Sequence, residues 1–235
     1  MVFPELKLKI EPTVSIRDRI YDYIKQQILS DKIPEDAILV ETRLAEQMGV
    51  SRTPIREALH FLGKEGLLEL LPRAGYRMRR VDWDEFEEIV QIRKVVETLA
   101  ATWAITRIKS EELEALRRNV LQSEATLRQG DLSVFPELDA QFHEILARAS
   151  GSKRLIDLIQ VLRSDMLRYR IKSLHRADTA ALALDGHRRI FQCVLERNSS
   201  GIEDAVRNHL DQAKKTIRHY AFDESESGLH TDSER

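Results

Sequence analysis

Four side chains in the second half of the sequence have the types and spacing of a metal site. Asp139 and His143 are four residues apart, so both project from one face of a helix. His187 and His209 each lie among apolar residues at helical spacing, which turns them toward a bundle core. Bundles build metal sites from nitrogen and oxygen ligands on facing helices. Three imidazoles and one carboxylate suit a divalent ion such as Zn²⁺, Ni²⁺ or Mn²⁺, with positions left for water or a ligand.

Two other interpretations of these residues stay open. The histidines can be packing residues of a plain structural bundle, because a lone histidine on a helix is more often structural than a ligand. An Asp/His₃ site with open positions can also activate water, as in a metal-dependent hydrolase. Against the hydrolase, no second carboxylate or nucleophile stands at an obvious motif spacing to act as a general base.

Arg93 is a further candidate site residue. It lies on the same predicted helix face as Phe86, Ile89 and Val96, and a guanidinium buried there requires an anion. Glu97, one turn later, can be that anion and make the pair purely structural. Alternatively, Arg93 binds the carboxylate of an effector in a bidentate manner.

Almost continuous helix must position these side chains. Asp82 and Glu85 form a capping-box-like start, and Lys109-Ser110, Gly130-Asp131 and Ser150-Gly151 are among the breaks. The pattern predicts an antiparallel all-α bundle of about six helices within residues 82–222. These helices cover about 83–108, 111–129, 132–149, 152–173, 178–197 and 201–221. The polar residues 223–235 are predicted to be a disordered tail.

The first half of the sequence predicts a winged helix-turn-helix over residues 14–81, preceded by an irregular arm, residues 1–13. A helix of about 15–30 has the apolar positions Ile16, Ile20, Tyr23, Ile24 and Ile28 on one stripe, which is therefore expected to be buried. Helix 41–48 ends at Gly49, and Ser51 caps a second short helix. Two β-compatible runs, 67–71 and 76–81, flank a basic turn and predict a hairpin wing. The fold is therefore expected to be mainly α.

The leading end of the second short helix carries Arg52, Thr53 and Arg56 on the face opposite its apolar residues. Such a helix fits the major groove of DNA, where an arginine can bind guanine O6 and N7. Arg43 can reach the same groove edge, and Arg73 lies in the tip of the wing. Residues 51–80 contain seven basic and three acidic residues, a local excess typical of a phosphate-facing surface.

The bulk composition agrees with a cytoplasmic protein. The 235 residues have a formal net charge of −2 and contain one cysteine, so an intramolecular disulfide framework is excluded. We see neither a signal peptide nor an apolar run of about 18 residues, and we expect no membrane association.

The run LVETRLAEQMGVSRTPIREALHFLGKEGLLELLPRAGYRM resembles the winged helix of the GntR family. It has the acidic-x-x-Leu-Ala element, followed by Val-Ser-Arg-Thr-Pro-Ile-Arg-Glu-Ala-Leu. By this resemblance, Arg43, Arg52, Thr53, Arg56 and Gly75 occupy positions that contact operator DNA. The loop before the second helix departs from the family, because it has Pro34-Glu35 where Pro-Gly is usual. This departure concerns the loop conformation and not the function.

The second half resembles the FCD ligand-binding domain of the FadR subfamily. The motifs IRKVVE at 92–97, DAQFH at 139–143, HRRI at 187–190 and NHL at 208–210 occur in the family's order. The resemblance implies a metal held by Asp139, His143, His187 and His209, with a small organic-acid effector nearby. Six helices would correspond to the shorter variant of the domain. We therefore expect a homodimeric, DNA-binding transcriptional regulator and no enzymatic activity, with repression favoured over activation.

Overall fold

The computed structural model of the chain describes residues 14–29, 32–34 and 36–223, with only the backbone of residues 168 and 223. The predicted arm, residues 1–13, lies outside this range, as do residues 224–235 of the predicted tail and residue 35 of the unusual loop. The chain divides into two compact units. Unit 1 comprises residues up to Lys64 and Leu68–Met78, and unit 2 comprises Glu65–Leu67 and the residues from Arg79 onward.

Unit 1 contains three helices and a two-stranded sheet. Helix α1 spans Ile16–Leu29, α2 spans Glu41–Met48 and α3 spans Arg52–Lys64. Strands β1 (Leu68–Leu71) and β2 (Gly75–Met78) are antiparallel, with Leu68 opposite Met78. Gly49 ends α2 with φ 65°, which is the left-handed cap that the sequence predicts. The predicted fold class, a helix-turn-helix with a wing followed by a helical domain, is confirmed.

The buried stripe of α1 is narrower than the sequence predicts. Ile20, Ile24 and Ile28 are buried, at a regular spacing of four residues. Ile16 and Tyr23 are each 57% exposed, so their prediction as buried residues is wrong. The reason is geometric, because α1 packs mainly on α3 and residues 16 and 23 turn away from that contact.

Unit 2 consists of seven α-helices within its described residues, followed by a π-helical turn, Arg218–Asp223. The predicted helix 152–173 is in fact two helices, because the backbone breaks at Met166, where φ is −102° and ψ is 0°. The shorter six-helix variant is therefore not what the structure has. The helices are α4 (Trp83–Arg107), α5 (Ser110–Gln129), α6 (Phe135–Ala149), α7 (Lys153–Asp165), α8 (Leu167–Leu174), α9 (Ala177–Leu195) and α10 (Ile202–Ile217).

The main core of unit 2 lies where α4, α5, α6, α9 and α10 meet. Helix α4 begins at the predicted cap, since the Asp82 side chain accepts a hydrogen bond from the Glu85 N–H at 2.8 Å. A second, aromatic cluster includes Phe86, Tyr169 and Phe222. Among the described residues, no helix is both long and apolar enough to span a bilayer.

Candidate metal centre and nucleic-acid interface

The structure brings Asp139, His143, His187 and His209 together inside unit 2. The first two lie on α6, His187 lies on α9 and His209 lies on α10. All four residues are buried, and one ligand atom from each lies within 4.8 Å of the others. The helical spacing of Asp139 and His143 places both on the inner face of α6, as the sequence predicts.

The three imidazoles meet through their Nε2 atoms. Nε2 of His143 lies 3.3 Å from Nε2 of His187 and 3.2 Å from Nε2 of His209. Each neutral Nε2 either carries a hydrogen or presents a lone pair, so at least two of three converging nitrogens must be alike and cannot hydrogen-bond to each other. Nitrogens bound at about 2.1 Å to one zinc ion would be roughly 3.4 Å apart on a tetrahedron edge. The donor set therefore fits a divalent ion.

The two oxygens of Asp139 have different surroundings. Oδ2 accepts hydrogen bonds from Arg170 and, at 3.2 Å, from Arg163. Oδ1 is buried and has no hydrogen-bond partner among the described residues, and it lies 3.5 Å from Nε2 of His187. A buried carboxylate oxygen without a hydrogen-bond partner, facing imidazole nitrogens, is an arrangement that fits a cation. The arginines orient the carboxylate so that Oδ1 stays available.

His143 is oriented by a chain of buried charges. Its Nδ1 lies 3.1 Å from Oε2 of Glu97, whose Oε1 accepts a hydrogen bond of 2.6 Å from Nε of Arg93. A carboxylate that accepts the Nδ1 hydrogen leaves Nε2 unprotonated and able to bind a metal. The sequence predicts Glu97 only as a partner of Arg93, so its contact with His143 was missed.

Arg93 is paired with Glu97 through its Nε atom, and part of its guanidinium has no hydrogen-bond partner among the described residues. Nη1 lies 3.4 Å from the sulfur of Met166, whereas Nη2 is buried and has no hydrogen-bond partner in the described part of the chain. Nη1 of Arg163 is also buried and has no hydrogen-bond partner among the described residues. Three arginines, Arg93, Arg163 and Arg170, thus face two carboxylates, Glu97 and Asp139.

The electrostatics of the cluster keep the imidazoles neutral and the carboxylates charged. Burial and the nearby Arg163 lower the pKa of His143 well below its ordinary value. Burial lowers the pKa of His209 to about 4. Burial alone would raise the pKa of Asp139, but the charges of Arg170 and Arg163 outweigh it and hold that pKa well below the usual range. Near neutral pH, all four ligands are in the protonation state that binds a metal.

A cavity of about 20 Å³ adjoins the cluster, which is room for about one water molecule. Arg170 and His209 form one side of it. Most of the remaining wall is apolar, and the Thr179 hydroxyl is buried without a hydrogen-bond partner among the described residues. Besides Arg170 and His209, the polar lining residues are Asp139, Ser173, Thr179, Gln212 and Thr216, and the apolar ones are Leu174, Leu182, Ala183, Ala213 and Ile217.

The predicted recognition helix, α3, presents Arg52 and Arg56 at its leading end. Their side chains are 57% and 59% exposed, and both bind Glu41 of α2, at 3.3 Å and 2.9 Å. Glu41 therefore holds the two guanidiniums side by side, a role that the sequence analysis missed. The sequence signal was present, since Glu41 is the acidic residue of the acidic-x-x-Leu-Ala element. Arg43 and Thr53 are also exposed.

The wing has a specific backbone requirement at Gly75. Its φ is 131°, and a Cβ there would lie 2.5 Å from the carbonyl oxygen of Leu39. Leu39 and Tyr76 exchange two backbone hydrogen bonds at this point, which fixes the wing to the segment before α2. Gly75 thus has a structural function in the fold. Arg73, in the exposed turn of the wing, adopts φ 65°.

A winged helix with exposed arginines on its recognition helix, joined to an all-helical domain, defines a DNA-binding regulator. Comparison with known families agrees. Residues 16–78 match the model described as "Bacterial regulatory proteins, gntR family", and residues 88–212 match the FCD domain. The chain belongs to the GntR family of bacterial regulatory proteins and carries an FCD domain.

Individual relatives support the same assignment. The HTH-type transcriptional repressor RspR of Escherichia coli is 25% identical, over 91% of this chain and 93% of its own. The HTH-type transcriptional regulator YdhC of Bacillus subtilis is 31% identical, over 86% of this chain and 90% of its own. The fold also resembles the solved structure of E. coli McbR/YncC, with a TM-score of 0.69 at 20% identity over 88% and 99% of the two chains. The protein is a transcriptional regulator and not an enzyme, which excludes the hydrolase alternative.

Proposed function

We propose that this regulator is a metal-binding repressor whose FCD domain senses a small organic acid. The observation that carries the proposal is the buried cluster of Asp139, His143, His187 and His209, in which Asp139 Oδ1 and three Nε2 atoms converge. A bound divalent ion, zinc, nickel or manganese, would supply positive charge and positions for an oxygen ligand. The FCD domain also supports membership of the FadR subfamily. In this chain, we place the DNA-binding domain at about residues 14–81 and the FCD domain at about residues 82–222.

An excess of buried positive charge supports an anionic effector. Arg93, Arg163 and Arg170 exceed the two carboxylates that face them by one charge, and a divalent cation would increase this excess. Buried charges require compensation, so an anion is the ligand that this environment stabilises best. Arg170 lines the adjoining cavity, and the unpaired Nη2 of Arg93 is a further donor for a carboxylate.

Operator binding is assigned to one surface of unit 1. Arg52, Thr53 and Arg56 of α3 are proposed to enter the major groove, with Arg43 beside them and Arg73 of the wing on the backbone. Gly75 contributes by shaping the wing. The arginines stand exposed, and Glu41 pre-orders two of them. Since its target is chromosomal DNA, the regulator acts in the cytoplasm, and the repressor name of a relative favours repression.

A homodimer is proposed from an apolar surface of unit 2, here called the α4/α7 face. It comprises Ile92, Val95 and Leu99 of α4 with Leu158 and Val161 of α7, which are 39–63% exposed. The two helices pack against each other, so their exposed stripes can form one surface. Such a surface suits a self-complementary two-fold contact, and a dimer matches a pseudo-palindromic operator.

The decisive experiment measures metal and DNA separately. We expect purified wild-type protein to contain close to one divalent ion per chain by elemental analysis, and the His143→Ala/His209→Ala double variant to contain none. Full metal content in that variant would contradict the site. Circular dichroism shows whether the variant is folded.

DNA binding is tested on a duplex selected from a random pool by the wild-type protein. Arg52→Ala or Arg56→Ala should weaken specific binding by roughly 1–3 kcal/mol, because each removes a base contact. Arg148→Ala, an exposed arginine of α6 paired with Glu144, is the control and should leave binding unchanged. Unchanged affinity in both α3 variants would contradict the interface.

A further inference from the structure

Helix α8, Leu167–Leu174, carries two adjacent residues with different partners. Arg170 binds Oδ2 of Asp139 in the candidate metal centre. Tyr169, the residue before it, binds the segment that leads out of the wing, here called the connecting segment, Arg79–Asp82. One helix of eight residues thus contacts both places directly.

The contact between Tyr169 and the connecting segment is a pair of hydrogen bonds. The Tyr169 hydroxyl accepts from the Val81 N–H at 2.9 Å and donates to the Val81 carbonyl at 3.0 Å. The ring is held between Phe222, stacked at 5.2 Å, and the edge of Phe86 at 6.5 Å. Both polar groups of the Val81 backbone therefore depend on the position of one hydroxyl. Val81 follows the last residue of β2, Met78, by three residues.

Helix α8 is separated from α7 and α9 by residues whose backbone is not helical. The backbone departs from helical geometry at Met166, before α8 begins, and again at Arg176, where φ is −96° and ψ is 132°. A short helix between two breaks can shift as a unit, because its displacement is absorbed at its ends. Arg163, which also binds Asp139, lies on α7, before the break.

We propose that α8 couples the state of the metal centre to the connecting segment, with Arg170 and Tyr169 as its two contact residues. This inference rests on the proposed metal site. A cation beside Asp139 Oδ1 reduces the attraction between Asp139 and Arg170, because both positive charges draw on one carboxylate. A displacement of Arg170 moves α8, and this movement alters the two hydrogen bonds between the Tyr169 hydroxyl and the Val81 backbone. The metal-bound and metal-free states thereby differ at the residues that continue into the wing, which is the difference that coupling requires.

The test compares two arginines that share one partner. Arg170→Gln and Arg163→Gln each remove one arginine from Asp139 Oδ2, but only Arg170 lies on α8. Metal is removed with a chelator and restored as one equivalent of Zn²⁺, zinc content is measured, and hydrogen exchange is followed at the Val81 N–H. Wild-type protein should change this rate about threefold or more on zinc binding, as expected for a local opening equilibrium. The Arg163→Gln variant should retain the change, and the Arg170→Gln variant should lose it while still binding zinc.

Other outcomes would overturn the inference. A wild-type protein that binds zinc with no change at Val81 contradicts the coupling and leaves the metal site intact. Loss of the response in both variants, or in neither, contradicts the route through α8. A wild-type protein that takes up no zinc contradicts the proposed metal site, and the coupling falls with it.

A second variant covers the case in which Arg170→Gln no longer binds zinc. Tyr169→Phe removes only the hydroxyl and keeps the stacked ring. The DNA affinity of the wild type should change when zinc binds. Tyr169→Phe should bind zinc as the wild type does, but its DNA affinity should be the same with and without zinc. Tyr220→Phe, which removes a hydroxyl bonded to Asp178, is the matched control and should keep the wild-type response to zinc. A wild-type DNA affinity that does not respond to zinc, or a Tyr169→Phe variant that responds as the wild type does, would overturn the proposal.

Discussion

At the scale of single residues, the protonation of His143 decides which of its nitrogens can bind a metal. Glu97 lies at Nδ1, and Arg93 holds Glu97 from the other side. Burial raises the pKa of Glu97, but Arg93 and Arg163 outweigh it and lower that pKa below its usual value, so the acceptor stays charged. The ligand atom Nε2 is thus selected by residues that do not belong to the cluster itself.

The Glu97→Gln variant tests this selection. The amide keeps the shape of the side chain but removes the negative charge that holds the Nδ1 hydrogen, so we expect zinc affinity to fall by about 10–100-fold. Affinity is measured by competition with a chelating dye. Because the variant also leaves Arg93 without its anion, a lower melting temperature is expected as well. Glu144→Gln, at an exposed position of α6, is the control, and equal zinc affinities of the two variants would contradict the role of Glu97.

At the scale of elements, helical periodicity explains what the sequence predicted. The four-residue spacing of Asp139 and His143, Gly49 after α2 and the Asp82 cap are local signals, and the structure agrees with each. Contacts between distant helices carry no such signal. Arg163 and Arg170 lie 24 and 31 residues from Asp139, and their convergence depends on how α6, α7 and α8 pack.

The break at Met166 was missed for a related reason. Residues 160–170 contain neither glycine nor proline, so no local feature of the sequence marks the end of α7. Met166 is buried in the aromatic cluster. The break therefore coincides with a packing contact between distant helices, which the local sequence does not reveal. The exposure of Ile16 and Tyr23 also depends on packing. Both have the helical spacing of core residues, but no described element of unit 1 covers them.

Two helical glycines, Gly186 and Gly63, allow a matched pair of alanine substitutions. A Cβ at Gly186 of α9 would lie 2.4 Å from Nδ1 and 3.0 Å from Cγ of His209, whereas a Cβ at Gly63 of α3 would meet only ordinary contacts at 3.6 Å and beyond. Gly63→Ala should therefore be neutral or raise stability by up to about 1 kcal/mol, as expected for glycine to alanine in a helix. Gly186→Ala has the same helical gain but displaces the His209 ring.

Zinc affinity is the measurement that separates the two variants. Gly186→Ala should bind zinc at least about tenfold more weakly than the wild type, because a ligand must be held close to its productive geometry. Gly63→Ala should bind zinc as the wild type does. Wild-type zinc affinity in Gly186→Ala would mean that His209 is not held in place by the close approach of α9.

At the scale of the whole molecule, the α4/α7 face connects assembly with DNA recognition. Its five exposed apolar residues lie on two adjacent helices of unit 2, whereas the arginines proposed to read the operator lie in unit 1. A contact between two copies through this face would link two recognition helices without involving either of them. The second half-site is then bound at a high effective concentration, which raises the affinity for a paired operator without any new DNA contact.

Val95→Glu tests this link, because it places a charge on the most exposed residue of the face, where burial in an interface would be unfavourable. By size-exclusion chromatography with light scattering, the wild type should be a dimer and the variant a monomer. The variant should lose at least about a hundredfold in affinity for an operator with two half-sites and little for a single half-site. Leu121→Glu, at a 55% exposed leucine of α5 outside the face, is the control and should remain dimeric. A dimeric Val95→Glu variant with wild-type operator affinity would show that the copies associate through another surface, since a buried carboxylate and an unchanged interface are incompatible.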